Sequence, residues 1–483
     1  MIPRIFKIWT RAKNIKNSFA PINKLPPEIL ALVAGFLRPE LQLINATAVC
    51  QHWRTTLLSF PRLWSRVRSP YQPLFEIYLE RSKSVPLQVQ LHDLRGNLRG
   101  NLFDSLAPHA SRLASLAVWM RNSSDFHLIA RYLPTSIPTL REFSITTDAE
   151  EYALEIPSGI SNDHFSHVRK LHLEDISSLR APHAFPHVTE LVWIVRSHDE
   201  TPIAGLLGTM GQLPDLERVE ITFRASPRNH NAEPVPQVVT LPHLQRMSLR
   251  RCNERIPHIL EFLKLPNLTS LDVDVLWRSS QPFPVLPVTS FDENLPNFSE
   301  LTEIEVRSHD RPRRVIFRSP RGVLQCHPIG QASEEQPYHY DRKLFGGLPL
   351  HSVRKLIVIL DKWAYAPEVA WVVCLMRDLG SLEDLELWGQ CGYLLRYLRR
   401  MMMREYPLPH IKTLTVYSGE TGILQALSLK DVVDGLGLGT VVTCIPDPGV
   451  PDDDDWYDDD LYDDDSSEDW NWVEDQAGDG NQD

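Results

Sequence analysis

The stretch LPNLTSLDV, Leu265–Val273, carries apolar residues at 268, 271 and 273, and the last two lie two apart. Residues two apart on an extended chain point the same way, so Leu271 and Val273 mark one face of a short strand. The phrase, apolar-x-x-apolar-x-apolar and often preceded by Pro, recurs along the chain. It reads RLASLAV from Arg112, TLREFSI from Thr139, HVRKLHL from His167, HVTELVW from His187, DLERVEI from Asp215 and HLQRMSL from His243. Beyond the opening stretch come ELTEIEV from Glu300, SVRKLIV from Ser352, SLEDLEL from Ser381 and HIKTLTV from His410. The first apolar positions are 113, 140, 168, 188, 216, 244, 268, 301, 353, 382 and 411, and most intervals fall between 20 and 29 residues. The interval of 52 between Leu301 and Val353 predicts a degraded repeat near Val315-Ile316-Phe317 and an inserted loop.

Helix-like segments such as IPHILEFLKL and CGYLLRYLRRMMM lie between the phrases. One strand and one helix cannot bury their apolar sides alone, but stacked units make a continuous core. With this spacing the region resembles degenerate leucine-rich repeats; an irregular α/β domain carrying the same strand phrases is the alternative. The Asn or Cys expected of such a repeat is matched by Cys252 and is missing from most units. In a solenoid of this kind, residues alternating with the buried ones line a concave, ligand-facing sheet. The column after the last buried position reads Trp119, Thr146, Glu174, Ile194, Thr222, Arg250, Asp274, Arg307, Ile359, Trp388 and Tyr417. Exposed aromatics and arginines are common binding anchors, so Trp119, Arg250, Arg307, Trp388 and Tyr417 are the candidate target contacts. Trp388 and Tyr417, expected on neighbouring strands, come first. The insertion RSHDRPRRVIFRSPRG is a second candidate, for an acidic or phosphorylated partner.

Near the start stands NKLPPEILALVAGFL, Asn23–Leu37. Leu25, Ile29, Leu32, Val33, Phe36 and Leu37 recur at helical spacing, with Leu30 and Gly35 off that stripe. Pro26 and Pro27 suit a first helical turn, where a missing N–H would have no partner anyway. Glu28 complements the helix dipole there. A second helix is expected across QLINATAVCQHWRTTLLS, with Ala46, Cys50, Trp53 and Leu57 as its stripe and Val49 beside it. Pro61 ends it, and Leu63 and Trp64 of FPRLW fold back. A unit of this size buries too little surface to be comfortable alone, so its apolar surplus implies a partner.

Leu25-Pro26-x-Glu28-Ile29, Val49-Cys50-x-x-Trp53-Arg54 and Pro61-x-Leu63-Trp64, in that order and spacing, resemble an F-box. This is the short helical module of SCF (Skp–cullin–F-box) ubiquitin ligases. The resemblance implies that Leu25, Pro26, Ile29, Leu32 and Val33 dock on a Skp-type adaptor. Val49, Cys50, Trp53 and Leu57 would share that contact and the module's own core. Ala46-Thr47-Ala48 departs from the pattern, since bulkier residues are usual there. F-box proteins with degenerate repeats from mushroom-forming fungi are similar.

At 483 residues the chain exceeds one ordinary core and calls for several domains or a repeat array. Its longest apolar run, VAWVVCLM, is far short of a membrane span. The six cysteines are scattered without a C-x-x-C pair, which reads as reduced thiols in the cytosol or nucleus. The first residues, MIPRIFKIWTRAKNIKNSF, hold five basic residues and no acid. They read as a flanking helix; a presequence or a membrane-surface helix would share the basic amphipathic pattern. The net charge of −12 is local: Asp452–Asp483 contains sixteen acids and no Lys or Arg, and removing them leaves the first 451 residues at +4. That tail is expected to be disordered. Its Trp456, Tyr457, Tyr462, Trp470 and Trp472 could dock on a basic surface, and Ser466 and Ser467 would suit an acid-directed kinase. Eighteen histidines form no H-E-x-x-H cluster; GLGLGT from Gly435 lacks a phosphate loop's spacing, and no G-x-S-x-G occurs.

The expected organisation is α/β: a basic flanking segment over 1–20, an F-box over 21–68, a degenerate leucine-rich-repeat solenoid over 69–432, and a linker with an acidic disordered tail over 433–483. The function implied is a non-catalytic substrate receptor of an SCF ligase without cofactor or metal. Its partners would be a Skp-type adaptor, through it a cullin, and a protein target, with no nucleic acid and no membrane span. A non-proteolytic F-box scaffold and a leucine-rich-repeat recognition protein outside any ligase are the alternatives.

Overall fold

The computed structural model describes residues 19–37, 42–68, 72–91, 98–120, 137–147, 153–155, 165–176, 178–180, 184–195, 203–223, 237–252, 259–277, 291–308, 314–330, 348–360, 372–373, 375–389, 391, 394–395, 398, 411–418 and 441–446. The basic N-terminal stretch, the GLGLGT segment and the acidic tail lie outside them.

Three helices open the described chain: Pro27–Gly35, Gln42–Thr47 and Gln51–Ser59, followed by a 3-10 turn over Pro61–Trp64. The single helix expected across 42–59 is broken. Cys50 adopts extended backbone (φ −159°, ψ 171°) and caps the third helix, so Val49 and Cys50 sit at the break rather than on a helical stripe. Leu30, Ala31 and Ala34 of the first helix face inward, with Leu43 and Ala46 of the second and Leu57 of the third. Trp64 closes this small core. Its indole N–H donates to the Leu57 carbonyl at 3.0 Å, and its ring meets Tyr78 edge-on at 5.0 Å. The Arg81 guanidinium lies 4.4 Å from the centre of the same ring.

Beyond these three helices, twenty strands lie among the described residues, with further helices between them. The first seven are β1 (Arg66–Arg68), β2 (Leu87–Leu91), β3 (Leu113–Met120), β4 (Glu142–Thr147), β5 (Ala153–Glu155), β6 (Lys170–Glu174) and β7 (Ser178–Arg180). Next are β8 (Glu190–Val195), β9 (Arg218–Phe223), β10 (Val239–Thr240), β11 (Arg246–Cys252), β12 (Leu263–Lys264) and β13 (Ser270–Trp277). The last are β14 (Glu303–Ser308), β15 (Arg314–Ser319), β16 (Gly322–Gly330), β17 (Lys355–Leu360), β18 (Asp384–Gly389), β19 (Thr413–Ser418) and β20 (Val441–Pro446). Sixteen form one sheet in the order β1-β2-β3-β4-β6-β8-β9-β11-β13-β16-β15-β14-β17-β18-β19-β20; β5 with β7, and β10 with β12, make two small pairs. Every one of the eleven sequence phrases ends on a strand of the large sheet, and β15 alone runs antiparallel to its neighbours.

The phrase works as its spacing requires. Buried and half-buried positions alternate along β8 and β17, and the buried set forms one apolar cluster running from Ala34 to Val416. The recurrent Pro sits inside a turn. Leu216, Leu244 and Leu268 each donate their N–H to the carbonyl three residues back, at Leu213, Leu241 and Leu265, and Pro214, Pro242 and Pro266 hold the second position. Proline's fixed φ is pre-set for that place. Neighbouring units are then stitched by shared carbonyls: Glu217 O accepts from Gln245 and Arg246 N–H at 2.8 and 3.1 Å, and Gln245 O accepts from Thr269 and Ser270 at 2.8 and 3.0 Å.

The wide interval resolves differently from expectation. Val315-Ile316-Phe317 is not a degraded repeat but β15, half of an antiparallel hairpin with β16 that inserts between β13 and β14. β16 pairs parallel with β13 and β14 with β17, so the hairpin bridges two parallel blocks. Its turn is tight: a Cβ on Gly322 would come within 3.0 Å of the Thr269 carbonyl. The region assigned to a linker also contains β20, which pairs with β19.

Candidate functional site: an apolar helical face and a row on the open sheet

Two surfaces stand out, and the helical one is the simpler. The sequence stripe of the Pro27–Gly35 helix faces solvent, and the helix packs inward on the opposite side. Ile29, Leu32, Val33 and Phe36 are 44%, 63%, 41% and 86% exposed, and Val49 beyond the second helix is 59% exposed. Ala31 and Ala34 on the inner side are small, which lets the backbone settle close and leaves the large residues outside. Leu25 is half-buried and Pro26 exposed at the helix start. Sequence reasoning missed Phe19 and Ile22, also exposed.

The remaining candidates divide. Cys50 is half-buried. Trp53 is partly buried against the core, and its indole N–H donates to Asn23 Oδ1 at 2.6 Å. Leu57 is fully buried, on the core side of the two roles expected of it, and its carbonyl accepts the Trp64 indole N–H.

On the sheet, the predicted column is real and stays in register across four neighbouring strands. Arg307, Ile359, Trp388 and Tyr417 lie side by side on β14, β17, β18 and β19. All four are half-buried. The rings of Trp388 and Tyr417 stack at 3.7 Å and 14°. The Trp388 indole N–H finds no acceptor among the described residues. Gly389 comes next with φ +80°, and a Cβ there would lie 2.1 Å from the Leu360 carbonyl, so the strand's exit requires glycine. Trp119 lies far along the sheet on β3, and Arg250 is separated from Arg307 by β13, β16 and β15. The five candidates therefore do not converge; three of them do.

Arg250 belongs to a different constellation, which the sequence did not announce. Its guanidinium sits 3.3 Å from Glu220, 3.6 Å from Asp272 and 3.6 Å from Asp274. His327 of β16 comes within 3.3 Å of Asp272. Asp272, Asp274 and His327 bring their donor atoms within 4.8 Å of one another, a spacing a metal ion could use. The positive charge among these carboxylates, however, is already supplied by Arg250. Burial works to raise the Asp272 carboxyl, but His327, Arg250 and Arg314 more than offset it and hold it below the usual range. Burial raises Asp274 and prevails, with the Asp272 charge adding to it.

Arginines of β14 and β15 are similarly engaged. Arg307 donates to Glu305, Arg318 reaches Glu305 at 2.6 Å and Glu303 at 3.3 Å, and Arg314 donates to Gln325 at 2.7 Å. Residues 309–313 of the Arg-rich insertion lie outside the described set. His187, the first residue of the HVTELVW phrase, meets Asp215 of the next turn at 3.0 Å.

Against known families, an F-box-like domain matches residues 22–69, the span that holds the exposed helical face. No curated protein matches the chain. Among the described residues, no helix is long and apolar enough to cross a membrane.

Proposed function

We propose that the chain is a non-catalytic substrate-receptor subunit of an SCF ubiquitin ligase. The observation that carries the reading is the exposed face of Ile29, Leu32, Val33, Phe36 and Val49 on the F-box-like module matched over 22–69. An apolar helical face of this kind fits a hydrophobic groove, and a Skp-type adaptor is the partner this module type takes, with a cullin beyond it. The strand array reads as a degenerate leucine-rich-repeat solenoid that holds a protein target, with Trp388, Tyr417 and Arg307 as contacts. The chain needs no catalytic residues or cofactor of its own. It raises the effective concentration of target lysines at another subunit's thioester, in the cytoplasm, the nucleus or both.

The test is complex formation between the purified chain and a recombinant Skp-type adaptor. Leu32→Asp with Phe36→Asp alters two exposed side chains, so the melting temperature should hold. Full burial of each is worth roughly 1.5–3 kcal/mol, so the Kd should rise at least about 100-fold. Absence of binding by the unaltered chain, or binding insensitive to the pair, overturns the proposal. Trp53→Ala is a poor probe, because Trp53 also ties Asn23 to the module.

A further inference from the structure

β13 and β16 meet where the parallel block gives way to the hairpin, and the junction gathers side chains that no single repeat carries. Asp272 and Asp274 lie two apart on β13, so their carboxylates share the face opposite Leu271 and Val273. β16 pairs parallel with β13 and sets His327 directly beside Asp274. Asp274 and His327 are each 8% exposed, and Asp272 is half-buried.

The contacts within this cluster are incomplete. Buried polar groups are normally hydrogen-bonded, and a buried charge left short is costly. Arg250 meets the Oδ2 atoms of both aspartates at 3.6 Å and Glu220 at 3.3 Å, so one guanidinium serves three carboxylates. The other oxygen of Asp272, Oδ1, is buried and accepts no hydrogen bond among the described residues. His327 turns Nε2 toward it at 3.3 Å without the alignment of a hydrogen bond. Ligands held ~2.0–2.1 Å from a tetrahedral ion lie ~3.3–3.4 Å apart, which is the spacing of this pair. Asp274 completes a set of three donors within 4.8 Å of one another.

We propose that Asp272, Asp274 and His327 bind a divalent ion of the Zn²⁺ class, with the fourth position left to water. The imidazole selects the class, because Ca²⁺ and Mg²⁺ take oxygen ligands throughout. Arg250 stands on the Oδ2 side and leaves the Oδ1–Nε2 edge clear. Its charge opposes the ion, and its side chain, 41% exposed, has solvent to turn into. Bound there, the ion clasps the hairpin strand β16 to β13. The site is remote in sequence from the helical face, so it stands or falls independently of adaptor binding.

The test is titration of the chelator-treated full chain with Co²⁺, whose visible absorption reports a tetrahedral site, followed by Zn²⁺. One equivalent of Co²⁺ should build the band and Zn²⁺ should remove it. Even changes behind a metal's ligands cost ~10–100-fold in affinity, so His327→Gln and Asp274→Asn should each raise the Kd at least about 100-fold. Arg250→Gln should lower it, because a competing charge is withdrawn. His187→Gln, at the exposed pair with Asp215, should leave it unchanged. Circular dichroism confirms that each variant is folded, and either ligand variant suffices if the other is not. An unaltered chain that builds no band overturns the proposal. A band that survives the ligand substitutions overturns it too, since the ion then sits on other donors such as the carboxylates of Asp452–Asp483.

Discussion

Asp272 and Asp274 stand two residues apart on one strand, share Arg250 and His327, and are driven in opposite directions. Asp272 is held below the ordinary carboxylate range by its cationic neighbours. Its ionised form therefore stabilises the fold above the unfolded pKa, and that contribution is lost as pH falls through the lower folded value. Asp274 is raised by burial. The fold favours its protonated form, so its contribution is full below the unfolded pKa and is lost as pH rises through the folded one. Asp272→Asn should accordingly lower the melting temperature at pH 7, with the deficit narrowing in acid. Asp274→Asn should raise it at pH 7 and gain nothing at pH 4. Melting curves at the two pH values check both signs, and equal effects of the two substitutions would show that the carboxylates act as one interchangeable pair.

The elements differ in how far their sequences announced them. The strands of the repeat were legible because residues such as Leu271 and Val273 must share a face once the chain is extended. The open-face row was legible for the same reason. The first helix was legible as a helix but ambiguous in orientation: two faces of it, Leu30-Ala31-Ala34 and Ile29-Leu32-Val33-Phe36, each satisfy helical spacing. The structure buries the first set and leaves the second outside. The hairpin was not legible, because β15 has the composition of a repeat strand and only its partners reveal its direction. Nor was the Arg250 cluster, whose members come from four strands far apart in sequence. Trp64 was expected to fold back, and its role is larger than that: it joins Leu57 of the third helix to Tyr78 and Arg81 beyond β1. Trp64→Ala should cost roughly 3–5 kcal/mol and abolish the proposed adaptor binding together with the fold. A thermal melt distinguishes this from the surface pair Leu32→Asp and Phe36→Asp, which leaves stability intact.

At the scale of the whole molecule, the helical module and the sheet are continuous. β1 lies inside the matched span of 22–69, pairs with β2, and contributes Val67 to the shared core. Deleting that span removes an edge strand and uncovers Phe75 and Tyr78. The shortened protein should therefore expose apolar surface and lose solubility, read as dye binding and aggregation. A deletion that stays soluble with an unchanged melting temperature would show that the module is a separable domain.

The order of strands also bears on how the chain emerges from a ribosome. Up to β13, each new strand of the large sheet can lie down beside the one before it. β14 breaks that rule, because its place is two strands further out, and its first neighbour, β15, has not yet been made. At ~5–20 residues per second, the 22 residues from the end of β14 to the end of β16 take roughly 1–4 s to appear. During that interval the nascent chain holds a finished N-terminal block and an unplaced strand with both edges bare. The hairpin then works as a keystone, set into a gap that the chain has already crossed before β17 to β20 are made.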